Sequence, residues 1–221
     1  MTTQLRAVAL QRRVRLFISI TIYSVRCNSV SISGLISFIE LMQETGEQLK
    51  QTLDGIADNM NNLSVSVNSK ARCHRLSKAR CHQQDAGVDP SEVVVCMIFD
   101  GIEKMHHSMV DYLQHELLLL DPAVLKTKHM GLSVTMQLFE RTVEMRQVRS
   151  RRQYSPPIQM MAAIKMRNGG KLNSHAWIMQ GFCRQLNPKY LVLIDVGTIP
   201  KRKALLHLYR CMEEDPNVGG W

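Results

Sequence analysis

Two aspartates stand directly after apolar runs that have the composition of buried strands. Asp100 follows the run at 93–99 and Asp195 follows the run at 190–194, and a glycine comes within two residues of each aspartate. Ligands of open parallel sheets bind beyond the carboxyl ends of the strands, so an acid at such a position is a candidate binding group. Either aspartate alone is explained as a cap for the turn that follows it. Two of them at equivalent strand ends favour a ligand-binding crevice.

A third element, Arg-Asn-Gly-Gly-Lys at 167–171, closes a strand and opens a helix. Its glycines allow the backbone to approach a ligand, its free N–H groups favour an anion, and Lys171 can reach a phosphate. Asp195 would hold Mg²⁺ or Mn²⁺ against the same phosphates, because these cations prefer oxygen ligands. Asp100 and Glu44 would accept hydrogen bonds from a base or a ribose. Neither a Walker loop nor a Rossmann dinucleotide fingerprint occurs. The pattern therefore favours a metal-assisted nucleotide-diphosphate donor, as a sugar-nucleotide transferase requires.

Strands and helices alternate along the chain, which would place these groups at one edge of a sheet. The run at 91–99 has no polar alternation, as expected of a strand covered on both faces. The alternation at 132–138 predicts a more exposed or edge strand, and Thr45 with Gln48 has the spacing of a helix capping box. The order of elements predicts an α/β fold with a mostly parallel, doubly wound sheet flanked by helices. The predicted strands are 16–23, 91–99, 132–138, 158–164 and 190–194, and the predicted helices are 45–60, 105–117, 171–186 and 201–213.

The composition excludes several classes of protein. The chain has 221 residues, with 28 Lys and Arg against 19 Asp and Glu, which gives a formal net charge of +9. With 45% hydrophobic and 21% charged residues, it is neither a disordered tail nor a collagen-like or mucin-like polymer. The six cysteines are too scattered for a secreted disulfide framework. Cys96 and Cys183 lie in apolar stretches, which favours buried thiols in a reducing compartment. No apolar run reaches the length of about 20 residues that is needed to cross a bilayer.

Residues 1–39 contain no acid, and we interpret residues 1–15 as a basic N-terminal extension. A basic start before an apolar run is also typical of a signal peptide or an anchor. Arg26 interrupts that run, and no clean small-residue cleavage site follows it. These features favour a strand at 16–23 over a targeting segment.

A short repeat interrupts the pattern of alternating elements. The segment Ser-Lys-Ala-Arg-Cys-His at 69–74 recurs unchanged at 77–82, and its two Cys-His pairs invite a zinc interpretation. Seven residues separate Cys73 from Cys81, whereas zinc motifs usually place about two to four between cysteines. A genomic duplication is therefore favoured over a zinc unit. A nucleic-acid module is disfavoured as well, because only 5% of the residues are aromatic and they do not alternate with basic ones. We expect no nucleic-acid partner.

Four sequence blocks resemble chitin synthases, which are membrane-embedded, processive family 2 glycosyltransferases of fungi and oomycetes. The blocks stand in the family's order and include a specific Lys-x-Asn-Ser-His pattern. The resemblance covers most of 44–63 and 88–220. The blocks are Val-Val-Val-Cys-Met-Ile-Phe-Asp-Gly at 93–101, Gly-Gly-Lys-Leu-Asn-Ser-His-Ala-Trp at 169–177, Leu-Ile-Asp-Val-Gly-Thr at 193–198 and Asp-Pro-Asn-Val-Gly-Gly at 215–220.

The resemblance implies a GT-A-like fold and an inverting transfer of N-acetylglucosamine from UDP-N-acetylglucosamine to a growing β-1,4 chitin chain, with Mn²⁺ or Mg²⁺ as cofactor. It also implies a parent enzyme embedded in the plasma membrane, with this domain on the cytoplasmic side, and a dimer is one expectation for its assembly. By the resemblance, Asp195 is the metal-binding aspartate of the diphosphate site. The residues that it assigns to the donor nucleotide are Tyr23, Glu44, Asp100, Lys171 and Asn173.

The chain departs from the family pattern near its start. The family has a Tyr-x-Glu-like motif directly after its first strand, whereas twenty residues separate Tyr23 from Glu44 here. Residues 24–42, which lie between Tyr23 and Glu44, are rich in serine, and residues 65–88 contain the unchanged repeat. We hypothesise that residues 24–42 and 65–88 are insertions derived from retained introns or from errors in exon assignment. Residues 16–221 would then be a partial donor-binding domain, incomplete at its C-terminus.

The resemblance places the carboxylate that acts as general base beyond Trp221, so the catalytic residue is unknown. We expect this chain alone to make no chitin, because an inverting transferase needs that base to deprotonate the acceptor hydroxyl. Incubation with radiolabelled UDP-N-acetylglucosamine checks this, and labelled polymer would contradict it. Nucleotide binding without turnover would fit both a partial enzyme and the alternative function, a non-catalytic nucleotide-binding or interaction remnant of such an enzyme.

Overall fold

The computed structural model describes residues 15–22, 44–73, 88–146 and 154–215, in which a five-stranded sheet lies between two layers of helices. The strands are β1 (Leu16–Ile22), β2 (Val93–Phe99), β3 (Lys128–His129), β4 (Leu132–Ser133), β5 (Met136–Val143), β6 (Ile158–Lys165) and β7 (Tyr190–Asp195). The helices are α1 (Gly46–Cys73), α2 (His107–Asp111), α3 (Lys171–Ala176), α4 (Cys183–Leu186) and α5 (Ala204–Glu214). Two π-helical turns, at Tyr112–Glu116 and Trp177–Phe182, extend α2 and join α3 to α4.

The sheet has the strand order β5-β6-β2-β1-β7. Strands β6, β2, β1 and β7 are parallel, and β5 pairs with β6 in the antiparallel sense. This confirms the predicted α/β fold with a mostly parallel sheet. The strand predicted at 132–138 is partly wrong, because Leu132 and Ser133 belong to a small hairpin and the edge strand begins only at Met136. The hairpin reverses at Met130 and Gly131, which both have positive φ.

The predicted helices form, with differences at their ends. Before α1, the Thr45 N–H donates to Gln48 Oε1 over 2.8 Å and the Gln48 N–H donates to Thr45 Oγ1 over 3.4 Å, so the predicted capping box is present. The helix continues to Cys73, beyond its predicted end. Helix α5 begins at Ala204, later than predicted, because Lys203 takes the left-handed conformation with a φ of 67°.

Each face of the sheet packs against its own helices. Strand β2 is buried along its whole length, as its unbroken apolar run predicts. On one face, Leu16, Ile18 and Ile20 of β1 share a core with α1, α2 and α5. On the opposite face, Phe17 packs against Phe182 of the second π turn, with ring centroids 6.5 Å apart. The covering of both faces makes the sheet doubly wound, as expected.

The two cysteines predicted to be buried differ in their environments. Cys96 in β2 is a free, fully buried thiol, and burial raises the pKa of this group, which stays neutral. Cys183 is also free but only half-buried, because it lies at the margin of the core around Phe182. The prediction of a buried thiol is therefore confirmed for Cys96 and only partly met at Cys183.

Among the helices that the structure describes, none is both long and apolar enough to cross a bilayer. Several predictions concern residues outside the described ranges and stay predictions: the extension at 1–14, Tyr23, the segment 24–42, and the second copy of the repeat within 74–87. At the start of the second proposed insertion, the backbone of 65–73 continues α1.

Replacing Met97 by alanine tests the packing on the face that α1 covers. Met97 is fully buried in β2, so we expect Met97→Ala to lower the free energy of unfolding by about 2–5 kcal/mol through the cavity that it leaves. Met130→Ala is the matched control, because Met130 is 88% exposed in the hairpin turn. Its truncation should change the same free energy by less than about 0.5 kcal/mol. Urea denaturation measures both, and equal effects would contradict the packing described.

Candidate functional site

The sheet changes its direction of winding between β1 and β7. From β1 the chain passes through α1 to β2 and then to β6, whereas from β6 it returns over the opposite face to β7. Ligands of doubly wound sheets bind at such a switch point, beyond the carboxyl ends of the strands. Asp195 ends β7 there, and Asp100 follows β2 on the other side of β1. One strand separates the two ends, so they lie about 10 Å apart at the usual strand spacing.

Asp100 is buried in an ion pair with Lys165, the last residue of β6. The distance from Lys165 Nζ to Asp100 Oδ1 is 2.5 Å, and the side chains are 3% and 0% exposed. Strand register sets this contact, because Phe99 pairs with Ile164 and the next residues therefore lie side by side. The Gly169 N–H donates to the same Asp100 oxygen over 2.7 Å. The pair compensates two charges that would each be strongly disfavoured if buried alone.

The second oxygen of Asp100, Oδ2, is buried and has no hydrogen-bond partner within the described ranges. Buried polar atoms in folded proteins are rarely left unpaired, so this atom marks a place for a ligand group or a water molecule. Lys165 completes the network by donating to Ser174 Oγ over 3.2 Å, which ties the pair to α3. One oxygen of Asp100 is thus held by the protein, and the other can accept a hydrogen bond from a ligand.

The glycine loop before α3 takes part in this network. We predicted free N–H groups for an anion, but the Gly169 N–H donates to Asp100 and the Gly170 N–H donates to Asn168 Oδ1 over 3.2 Å. That prediction is wrong for these two groups, because the loop folds back on Asp100 and on its own asparagine. Asn173 packs against the loop, since a Cβ atom at position 169 would lie 2.7 Å from Asn173 Oδ1. Glycine at this position permits the close approach.

Lys171 and Asp195 form an exposed ion pair at the switch point. Lys171 Nζ lies 3.0 Å from Asp195 Oδ1 and 3.1 Å from Oδ2, and the side chains are 38% and 55% exposed. Exposed pairs contribute only about 0–1 kcal/mol to stability, so a ligand charge can replace either partner with little loss. The structure brings together two residues to which the sequence suggested separate roles, one toward a phosphate and one toward a metal.

Asp195 offers a divalent cation one exposed carboxylate. The described ranges contain no group of three or more His, Cys, Asp or Glu side chains that could hold a metal ion. Mg²⁺ and Mn²⁺ are commonly held by one or two carboxylates whose shell is completed by substrate phosphates and water. The donor set therefore fits a cation that binds together with a diphosphate, and it does not fit a resident metal centre.

The start of α1 reaches the same edge of the sheet. The N–H of Gly197, in the turn after β7, donates to Thr52 Oγ1 over 2.9 Å. Glu44 is half-buried directly before this helix. Tyr23, the residue after β1, lies outside the described ranges. The predicted residues that the structure brings to the carboxyl edge are Asp100, Lys171, Asn173 and Asp195.

Lys165 is the residue of this site that reasoning from the sequence missed. A signal existed, because a lysine directly after the apolar run 158–164 is as unusual as the aspartate after β2, and lysine is seldom buried without a partner. The pairing of Lys165 with Asp100 could not be predicted from the sequence, since it depends on which strand lies beside β6.

A separate cleft lies between α1, the first π turn and the end of β5. Its lining includes Lys50, Asp54, Tyr112, Glu116 and Arg146. Lys50 Nζ lies 2.8 Å from Glu116 Oε2, and burial raises the pKa of the Asp54 carboxyl. None of the predicted site residues that the structure describes lines this cleft, so the switch point remains the candidate site.

The fold and the site together define an α/β domain with a candidate ligand site at the carboxyl edge of a doubly wound sheet. Residues 35–221 match the chitin synthase-like glycosyltransferase domain, and the chain belongs to this family. It is 32% identical over 218 residues to chitin synthase 1 of Phytophthora sojae (strain P6497). That alignment covers 98% of this chain and 21% of the relative, so the chain spans about a fifth of the relative's length. The resemblance found in the four sequence blocks is thereby confirmed.

Gly101 provides the backbone conformation that follows Asp100. Its φ is 97°, and a Cβ atom there would lie 2.8 Å from the backbone nitrogen of Asn168. Gly131 has a φ of 77° but nothing within 4 Å of such an atom, so its substitution adds only conformational strain. We expect Gly101→Ala to lower the free energy of unfolding by about 1–3 kcal/mol more than Gly131→Ala does. Chemical denaturation measures the difference, and equal losses would contradict the close approach to Asn168.

Proposed function

We propose that this domain binds UDP-N-acetylglucosamine as the donor for transfer of N-acetylglucosamine to a β-1,4 chitin chain. One observation carries the proposal: Asp100, buried with one oxygen unpartnered in the described part of the chain, shares an edge of the sheet with the exposed Lys171–Asp195 pair. The free oxygen of Asp100 suits a neutral ring that offers an N–H donor, and the Lys171–Asp195 pair suits a diphosphate. Membership in the chitin synthase-like family implies a nucleotide sugar and a chitin chain, and it supports this choice of donor and acceptor.

Each side chain has a defined role in this proposal. The imide N–H of uracil donates to Asp100 Oδ2, since an ionised carboxylate is an acceptor only. Lys171 leaves its ion pair with Asp195 and binds the diphosphate, because an ammonium forms charge-assisted hydrogen bonds with phosphate oxygens. Mn²⁺ or Mg²⁺, when bound, would neutralise charge on the leaving UDP, and Asp195 would hold it. We assign Tyr23, Glu44 and Asn173 to the donor nucleotide from the family pattern.

The transfer itself requires one further group. The acceptor hydroxyl forms a bond to the anomeric carbon from the side opposite UDP, the bond to the UDP oxygen breaks, and the hydroxyl proton passes to a carboxylate base. We assign that base to no described residue, so the proposed role of this chain is to bind the donor. By the family pattern, the parent enzyme would work in the plasma membrane with this domain on the cytoplasmic side, and a dimer is one expectation for its assembly.

Replacing Asp195 by asparagine tests the diphosphate side of the site. We expect the unaltered chain to bind UDP more tightly with Mn²⁺ than with EDTA. Asp195→Asn should reduce that gain by about tenfold or more, because an amide is a much weaker ligand for a hard cation than a carboxylate. Isothermal titration calorimetry with UDP measures the affinities with and without Mn²⁺.

Asp121→Asn is the matched control, because it removes the same charge at an exposed position while keeping an oxygen for the cap hydrogen bond with the Ala123 N–H. It should leave the Mn²⁺ effect unchanged. An equal loss in both variants would indicate a general effect of net charge. A full Mn²⁺ effect in Asp195→Asn would show that another group holds the cation.

A further inference from the structure

We propose that Lys165 is a positioning residue that aims Asp100 Oδ2 at the nucleobase and so sets the preference for uracil. The inference rests on the proposed function, in which Asp100 binds the base. The Lys165 side chain is only 3% exposed, and its Nζ contacts Asp100 Oδ1 and Ser174 Oγ. It acts on the ligand through Asp100 and does not touch the ligand itself.

Two hydrogen-bond donors fix the orientation of the Asp100 carboxylate. Oδ1 is held from two directions, by Lys165 Nζ at 2.5 Å and by the Gly169 N–H at 2.7 Å. A half-turn of the carboxylate only exchanges its two oxygens, and a smaller rotation breaks both contacts. One oxygen is therefore always held by the protein, while the other is buried without a partner within the described ranges and is left to accept from a ligand.

The charge of Lys165 supplies the second part of the argument. A carboxylate buried without a cation favours its protonated form, which can donate a hydrogen bond as well as accept one. Asp100 forms an ion pair with the Lys165 ammonium over 2.5 Å, and a carboxylate in an ion pair only accepts hydrogen bonds. Uracil offers an N–H at ring position 3, whereas cytosine has a lone pair there. An oriented, ionised Asp100 therefore accepts from uracil and repels cytosine.

Lys165 also links the base to the diphosphate side of the site. Its bond to Ser174 anchors α3, the helix that begins with Lys171. Ser174 is itself fully buried, so this anchor is shielded from water. The lysine thus holds two parts of the site in one arrangement.

A purely structural ion pair would behave differently from a positioning one. Partial loss of folding lowers the affinity for UDP and for CDP alike, so it leaves the ratio of the two affinities unchanged. Loss of the orientation of Asp100 changes that ratio. The ratio is therefore the informative measurement.

The experiment uses the full chain and titrates UDP and CDP separately in the presence of Mn²⁺. We expect the unaltered chain to prefer UDP by about 10- to 100-fold, the range for one hydrogen bond to a charged group. Lys165→Met retains much of the side-chain volume but removes the ammonium, and the preference should fall to within about threefold. Lys126→Met removes the same charge at an exposed position and should keep the full preference.

A second variant covers the case in which Lys165→Met does not fold. Asp100→Asn combined with Lys165→Met removes both buried charges, and its amide can turn either its oxygen or its N–H₂ group toward the base. We compare it with Asp100→Asn alone, in which Lys165 Nζ still holds the amide oxygen and turns the N–H₂ group toward the base. We expect Asp100→Asn alone to favour CDP and the double variant to favour neither nucleotide. Circular dichroism establishes the folding of each variant before titration.

The outcomes separate the two levels of the proposal. An unchanged UDP-to-CDP ratio in folded Lys165→Met, or equal ratios in Asp100→Asn and the double variant, would overturn the role of Lys165 while leaving the proposed function in place. An unaltered chain that binds no UDP would overturn both. A ratio that falls in Lys165→Met and is kept in Lys126→Met, or a CDP preference of Asp100→Asn that the double variant lacks, would support the inference.

Discussion

Asp100 and Lys165 form a buried ion pair where β2 and β6 end. The structure around them is constrained because neither charge can be buried without the other. A buried charge without a partner is disfavoured by several kcal/mol (roughly 3–5 when one member of a pair is removed). Asp100 and Lys165 can therefore be buried only while the two strands keep their register. The loop before α3 closes on the pair through Gly169, and α3 is anchored to it through Ser174. The pair thus places both the loop and the helix.

The site combines this fixed pair with a second pair that a ligand can displace. Asp100 and Lys165 are shielded from water, so Asp100 presents one oxygen in a set direction. Lys171 and Asp195 are exposed, and water screens their attraction. The buried pair suits recognition of a ligand by the direction of a hydrogen bond. The exposed pair suits a charged ligand, which can replace the contact between the lysine and the carboxylate.

Strand order brings these two pairs to one edge of the sheet. The chain leaves β1 in one direction through α1 and returns to β7 over the opposite face, so the sheet has its switch point beside β1. Residues from three well-separated segments then meet at one edge of the sheet. The family match covers all three of the segments around Asp100, Lys171 and Asp195, and the carboxyl-edge site lies wholly within the matched range.

Features that depend on near neighbours in the chain could be predicted from the sequence. They include the buried run of β2, the capping box at Thr45 and the two aspartates that follow strands, because periodicity and capping act within a few residues. The border between the β3–β4 hairpin and β5 could not be predicted, since the same alternation suits both elements. The partner of Asp100 could not be predicted either, because Lys165 reaches it only through the pairing of β6 with β2. In the same way, Lys171 meets Asp195 only because α3 crosses the face opposite α1. Such contacts join residues far apart in sequence, and they are decided by which strands become neighbours when both faces of the sheet are covered.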